Sequence, residues 1–220
     1  MRHVIKVLMT EFVTHDVKRF VFEKPAGLKY IPGQATLVAL NQPGLDEDLH
    51  PFTPTSLPED GVLQYMIKEY RDHHGMTEAL HKFRPGDELV IKNVFGAIQY
   101  RGPGVFIAGG AGITPFIAIL RHLRRTGRLE GNTLLFSNKT QADIIVEREL
   151  RSCLGDKCLF TLTRESRPGY ENRRMDGAYL REKIQRFDQP FYVCGPPSFI
   201  EELSQTLQAL GAVADNVVFD

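Results

Sequence analysis

The sequence predicts two domains: an antiparallel β-barrel or sandwich over residues 1–100, then an α/β domain with a doubly wound parallel sheet over residues 101–220. Three observations predict it. The N-terminal part carries short alternating strands punctuated by Gly and Pro turns, the mark of an all-β module. After Arg101-Gly-Pro-Gly104 the rhythm becomes apolar strand followed by amphipathic helix, repeated to Asp220. That alternation implies parallel strands joined by crossover helices. Third, a glycine turn, Ile107-Ala-Gly-Gly-Ala-Gly-Ile-Thr-Pro115, stands between one such strand and helix.

Each element follows from its residues. His3–Val13 and Val17–Phe22 alternate polar and apolar positions around a short turn and form an antiparallel pair. Pro32-Gly33 precedes a strand over Gln34–Leu40, and the polar stretch Gln42–Leu49 is a loop. Val62–Tyr70 alternates again. Gly75–Lys82 is a short helix with Thr77 as its candidate cap. Arg84-Pro-Gly-Asp87 is a turn into the strand Glu88–Val94. In the second domain, strands Val105–Ala108, Thr133–Phe136, Lys157–Leu162 and Phe191–Val193 lead into helices over Pro115–Arg125, Ile144–Cys153, Gly177–Gln185 and Pro197–Leu210. Val217-Val218-Phe219 is a closing strand.

Composition excludes several classes. Lys+Arg and Asp+Glu are both 27, so no global field favours nucleic acid or an anionic membrane. No apolar run approaches the ~18 residues a membrane span needs. Three cysteines, Cys153, Cys158 and Cys194, are too few for a disulfide framework and suit a reducing, cytoplasmic setting. Cys153 and Cys158 read as structural. His73, His74 and His81 lack the converging partners a metal site needs, so no metal is expected, and they read as solvent- or phosphate-facing.

Three motifs carry chemistry. The glycine turn lets backbone approach a pyrophosphate at a helix start, although many such turns serve packing alone. A second strand ends in Cys194-Gly195-Pro196-Pro197. The third motif is His50-Pro51-Phe52-Thr53, which by itself reads better as a Pro-containing strand with a core Phe and gains its meaning from the other two. In this order, and spread over nearly the whole chain, the three resemble the ferredoxin–NADP reductase superfamily of flavin-dependent NAD(P)H oxidoreductases. That resemblance implies an N-terminal flavin-binding β-barrel, a C-terminal NAD(P)-binding domain, and FAD (FMN less readily) between them.

A flavin needs an apolar face, a hydrogen-bonding group at the polar edge of its ring, and donors for its phosphates. By resemblance Phe52 packs on the ring, the Thr53 hydroxyl approaches its N5, and Pro51 stiffens the approach. The strand carrying Ile67, Lys68 and Tyr70 lines the other wall, and Gly75-Met76-Thr77 is similar to a phosphate-binding turn. His50 stands where the family usually has arginine, which exchanges a permanent bidentate cation for a pH-dependent one. Asp220 matches the acid near the family's C-terminus and is a candidate proton relay through Thr53.

On the nicotinamide side, the resemblance assigns the pyrophosphate cradle to Gly109, Gly110, Ala111, Gly112 and Thr114. It assigns the nicotinamide pocket to Cys194, Gly195, Pro196 and Pro197, with the Cys194 thiol near the reactive carbon. An inert, buried Cys194 is the plainer alternative. Beyond the second parallel strand, Ser137, Asn138 and Lys139, with Arg164 and Arg167 after the next, face the coenzyme choice. Cations there suit the 2′-phosphate of NADPH, while Asn138-Lys139-Thr140 with Asp143 is similar to the string of NADH-using, cytochrome b5 reductase-like members. NADPH is slightly favoured.

The implied activity is transfer of electrons from NAD(P)H through FAD to a separate acceptor: ferredoxin, flavodoxin or an oxygenase component. The alternatives are a free-flavin or ferric reductase and an electron-transfer subunit of a larger oxidoreductase.

Overall fold

The computed structural model describes residues 2–70, 75–96, 98–214 and 217–219, with Phe219 by its backbone alone. It divides into two compact units, Met1–Gly96 and Ala97–Asp220. No helix among the described residues is long and apolar enough to cross a membrane.

The first unit is a six-stranded antiparallel sheet. Its strands are β1 (Arg2–Phe12), β2 (Val17–Glu23), β3 (Ala35–Leu40), β4 (His50–Phe52), β5 (Val62–Lys68) and β6 (Glu88–Phe95), in the order β4-β3-β6-β1-β2-β5. β1 pairs with β6 along Arg2–Lys6 and with β2 from Val7 onward, and its register slips between Val7 and Met9. An irregularity of this kind bends a strand and lets one strand serve two faces of a curled sheet. Just beyond β4 the Thr55 amide donates to the Gln64 carbonyl of β5 at 2.7 Å, which draws the two edges together as a barrel requires. Inward side chains such as Phe20, Phe22, Val38, Leu63 and Tyr65 fill the interior. Inside it, the Tyr65 and Thr36 hydroxyls meet at 2.7 Å, so neither polar group is buried unpaired.

Two local features differ from the sequence reading. His50–Phe52 is a true strand, and Pro51 is tolerated there because β4 is an edge, paired only with β3 among the described residues. Helix α1 (Met76–His81) has Gly75 at its N-cap and no side-chain cap. Thr77 therefore does not cap it. Its hydroxyl instead accepts the Tyr70 amide at 3.3 Å, tying the end of β5 to the helix.

The second unit is a five-stranded parallel sheet of β7 (Val105–Gly109), β8 (Thr133–Asn138), β9 (Cys158–Leu162), β10 (Phe191–Cys194) and β11 (Val217–Phe219), in the order β11-β10-β7-β8-β9. The chain moves outward from β7 through β8 and β9, then returns to the other side of β7. That reversal is a topological switch point, where open α/β sheets bind ligands at the carboxyl ends of the strands. Helix α2 (Thr114–Arg125) packs Phe116 edge-on against Phe106, with ring centroids 5.1 Å apart. Helix α3 (Glu147–Leu154) is clamped to α2 by a bidentate Arg121–Glu149 pair at 2.6 and 2.8 Å. Leu180 of α4 (Gly177–Lys183) and Leu203 and Leu207 of α5 (Pro197–Ala209) join Leu135 and Val193 in the core of the other face.

The predicted helix from Ile144 starts later. Gln141–Asp143 is a 3-10 turn closed by a reciprocal Thr140–Asp143 capping box, and Val146 takes a left-handed conformation before α3 begins at Glu147. Thr140 and Asp143 thus serve the local turn: the carboxylate accepts the Thr140 amide at 2.8 Å and its hydroxyl at 2.7 Å.

Candidate functional site

In the second unit, the two glycine-containing motifs meet at the switch point. β10 pairs with β7, Cys194 opposite Ala108, so the turns after both strands emerge side by side. A Cβ added at Gly112 would collide with the Cys194 carbonyl and the Gly195 amide nitrogen. Only glycine permits this approach. Gly110 is required for a different reason: its φ is +53° with open space around it, a left-handed turn that points the following residues into α2. Gly195 lies against Gly109 and the Phe199 ring, so a side chain there would need Phe199 to move. The Thr114 hydroxyl donates to the Ala111 carbonyl at 3.1 Å and closes the turn. No side chain caps the start of α2, and Pro115 sits in its first turn. Donor-rich backbone at the start of a twelve-residue helix suits an anion such as a pyrophosphate. Pro196 and Pro197 set the entry of α5, with Pro197 its first residue.

The neighbouring strand ends extend this surface. Ser137 is paired with Gly109 across the sheet. Asn138 is only 5% exposed, and both atoms of its amide lack a hydrogen-bond partner among the described residues. Buried polar atoms left unpaired in this way fit a site that a polar ligand completes. Lys139 and Arg164 are exposed, and the Arg164 amide donates to the Lys139 carbonyl at 2.9 Å. Neither makes an ion pair among the described residues. Arg167 is drawn to Glu165 at 3.4 Å, and Glu165 accepts the Gln141 amide at 2.7 Å. A cavity of about 340 Å³ opens beside them, lined by Thr140, Gln141, Ala142, Glu147, Glu165 and Arg167. Glu165 and this cavity were missed in the sequence, where only the cations Arg164 and Arg167 of the same segment were singled out.

Of the other two cysteines, Cys158 is buried, and burial pushes its thiol up to about 12, which makes it inert. Cys153 is half-buried, and its thiol is also raised by burial.

In the first unit, His50, Phe52 and Thr53 lie on and just after the edge strand β4. Phe52 is half-buried against the barrel core, and the Thr53 hydroxyl has no hydrogen-bond partner among the described residues. His50 Nε2 lies 3.1 Å from an Asp48 carboxylate oxygen, in an alignment too poor for a hydrogen bond, so the shielded nitrogen stays unpaired. These groups fit a flavin: a partly exposed aromatic face, a hydroxyl and an unpaired ring nitrogen on one edge.

Lys68 is not a free cation. It pairs with Asp16 at 2.7 Å, and although burial disfavours the Asp16 carboxylate, the ammonium outweighs it and holds that carboxyl below its usual range. Ile67 and Met76 are corrected as well. Both side chains belong to the barrel core, so these positions offer a ligand only their backbone. Tyr70 is 47% exposed, and Gly75 is exposed. His81 departs from its solvent- or phosphate-facing reading: it is buried, with Nε2 2.9 Å from the Ile67 carbonyl. His73, His74 and Asp220 lie outside the described residues.

Fold and site together define the class: an antiparallel barrel, then a doubly wound sheet with a glycine turn at its switch point that suits a nucleotide. Comparison with known families gives the particular class. Residues 4–100 match the oxidoreductase FAD-binding domain and residues 106–205 the oxidoreductase NAD-binding domain. The chain belongs to the ferredoxin–NADP reductase superfamily and is an FAD- and NAD-binding oxidoreductase. It is 28% identical over 212 residues to NADH-cytochrome b5 reductase 2 of Mycosarcoma maydis, covering 86% of this chain and 60% of that protein. It is 25% identical over 231 residues to the reductase component of propane 2-monooxygenase of Rhodococcus jostii strain RHA1, covering 98% of this chain and 62% of that protein. The chain therefore spans about three-fifths of these relatives. A ferredoxin NADP+ reductase from Neisseria gonorrhoeae, solved with bound FAD and NADP, has the same fold: TM-score 0.87 at 20% identity, covering 100% of this chain and 98% of that one.

Proposed function

We propose that this chain draws electrons from NAD(P)H and delivers them through FAD to a separate electron-carrier protein such as ferredoxin, flavodoxin or an oxygenase component. The observation that carries the coenzyme half is the fit of Gly112 against the Cys194–Gly195 backbone, which joins the pyrophosphate turn to the nicotinamide turn. FAD, when bound, takes two electrons from a reduced nicotinamide and can release them singly. The protein's own work is to bind, orient and exclude water. Phe52 and Tyr70 offer aromatic faces, Thr53 offers a hydroxyl to the ring's polar edge, and Gly110–Thr114 offer backbone donors to the coenzyme.

A separate acceptor is supported by the relatives. Proteins with similar sequences are named for cytochrome b5 and for an oxygenase component. The test is an anaerobic titration of the FAD-loaded protein with NADPH and then NADH, followed by addition of oxidised ferredoxin, flavodoxin or cytochrome b5. The flavin band should bleach with coenzyme and return as the carrier is reduced. A band that bleaches yet returns with none of the carriers would leave the chain an NAD(P)H dehydrogenase of some other acceptor.

A second reading rests on one observation: the only ionisable side chain in the β4 motif, His50, faces the Asp48 carboxylate at 3.1 Å. A carboxylate there repels flavin phosphates and favours a flavin that leaves after reduction. Passage through gel filtration separates the two readings. Retained flavin supports the electron-carrier reductase, and a colourless protein that reduces added flavin supports the free-flavin reductase.

A further inference from the structure

Lys18 is a charged residue in an unlikely place for a cation. It lies on β2, is 7% exposed, and among the described residues has no carboxylate as a hydrogen-bond partner. Its ammonium donates to the His81 carbonyl at 2.9 Å and the Phe83 carbonyl at 2.8 Å, the last carbonyls of α1 and the residue after its C-cap. Its charge also lies 5.8 Å from the Phe12 ring centroid and 5.3 Å from that of Phe20. Burying an ammonium carries a desolvation cost that a methionine of similar shape would avoid. A cation at the carbonyl end of a helix recovers part of that cost. What Lys18 adds beyond packing is an attachment between β2 and α1.

The attachment reaches the wall assigned to the flavin. His81, the last residue of α1, holds the Ile67 carbonyl at 2.9 Å through Nε2. Its other nitrogen stands 3.6 Å from Glu69. Thr77 of the same helix accepts the Tyr70 amide. On the opposite side, Lys68 pairs with Asp16 at 2.7 Å, and the Glu69 amide donates to the Asp16 carbonyl at 2.8 Å. Residues 67–70 are thus held from two directions, by α1 and by the β1–β2 turn. On the α1 side the hold depends on where Lys18 puts the helix.

We infer that Lys18 is a positioning residue for flavin binding: by fastening the carbonyl end of α1 to β2, it sets, through His81 and Thr77, the placement of Ile67–Tyr70 against the flavin. The inference rests on the reading that β4 and the end of β5 form the flavin wall. Lys18 touches neither flavin nor coenzyme in this account and acts through α1.

The test is equilibrium binding of FAD to flavin-free protein, read by flavin fluorescence, for the wild type, Lys18→Met, Lys18→Arg and Phe52→Ala. Lys18→Met keeps the volume and removes the donors; it should weaken FAD binding by more than about tenfold, while Lys18→Arg, which keeps a cationic donor, should stay within about threefold. NADP+ binding at the second unit should be unchanged in both, and amide exchange in β3 and β6 of the first unit should stay at wild-type rates, which a loss of the barrel fold would not allow. If Lys18→Met binds FAD like the wild type while Phe52→Ala does not, the positioning role is wrong and the flavin wall stands. If Phe52→Ala also binds normally, the flavin wall itself is wrong. Hydrogen exchange of the wild type covers a Lys18→Met that does not fold. Added FAD should slow exchange at residues 76–83 together with residues 62–70, and protection of β5 without α1 would overturn the inference.

Discussion

Gly112 shows how one missing side chain governs a coenzyme site. A methyl group there meets the backbone of Cys194 and Gly195, which cannot move without shifting β10. Gly112→Ala should therefore destabilise the second unit by about 1–3 kcal/mol, the usual cost of forcing atoms into packed space, and should weaken NAD(P)H binding more than FAD binding. Gly110→Ala meets no neighbour and bears only the left-handed backbone penalty, about 1–2 kcal/mol. Thermal melting and coenzyme titration of both variants check the ranking, and equal effects would remove the steric explanation. Arg164 gives the proposed coenzyme choice a direct test. It and Lys139 are exposed cations joined through their backbones and free of ion pairs among the described residues. Arg164→Ala should raise KM for NADPH severalfold and leave KM for NADH nearly unchanged. Loss of both in parallel would place Arg164 outside the 2′-phosphate contact. Thr53→Ala should slow reduction of bound flavin in stopped flow far more than it weakens flavin binding, because its hydroxyl has no hydrogen-bond partner among the described residues. Unchanged reduction rates would remove Thr53 from the mechanism.

At the scale of elements, α1 carries a pH dependence of its own. Burial holds His81 below the ordinary histidine range, although the Ile67 carbonyl and Glu69 pull the other way, and the Lys18 ammonium adds to the depression. Asp16 contributes a weaker opposing field. The folded state thus prefers neutral His81, while the unfolded chain takes up the proton near pH 6.5. The stability from neutral His81 is fully present above that pH. It declines as pH falls through it toward the lower folded value, by at most about 1.4 kcal/mol per pH unit for one proton. His81→Gln keeps a donor for Ile67 and has no proton to gain. Melting temperatures of wild type and variant should converge, or cross, between pH 7.5 and pH 5.5. A gap independent of pH would show that His81 does not titrate against folding. Elements were also where the sequence was easiest to read. Strands dense in apolar and aromatic residues, such as β2 and β5, and helices with a clear apolar stripe, such as α2, fall close to where the sequence puts them. α3 was harder, because Thr140–Asp143 satisfies a capping pattern that closes a 3-10 turn before the helix proper begins. β4 was obscured by its Pro, which an edge strand tolerates.

For the whole molecule, local residue patterns and long-range contacts set different limits on what could be read. The change of rhythm after residue 101 exposed the two-part organisation, and the structure divides after Gly96, within a few residues of it. The glycine and Cys-Gly-Pro-Pro turns were legible as motifs, since each follows its own strand. Their meeting at Gly112 was not, because it depends on β10 crossing back to pair with β7. The Lys18 attachment had no signal at all, because a lysine in an alternating strand reads as an outward-facing residue. Each unit has its own buried cluster, built around Phe20, Tyr65 and Leu89 in one and Val105, Leu135 and Leu207 in the other. Ligands should therefore stabilise the units separately. A ligand that binds only the folded state adds about 2.7 kcal/mol at one hundred times its Kd. NADP+ at that level should slow hydrogen exchange most in β7, β8 and β10, whose carboxyl ends carry the proposed site, and leave β1, β2 and β6 near their unliganded rates. Protection spread evenly over both sheets would mean that the two cores open as one cooperative unit, and coenzyme binding would then report on the barrel as well.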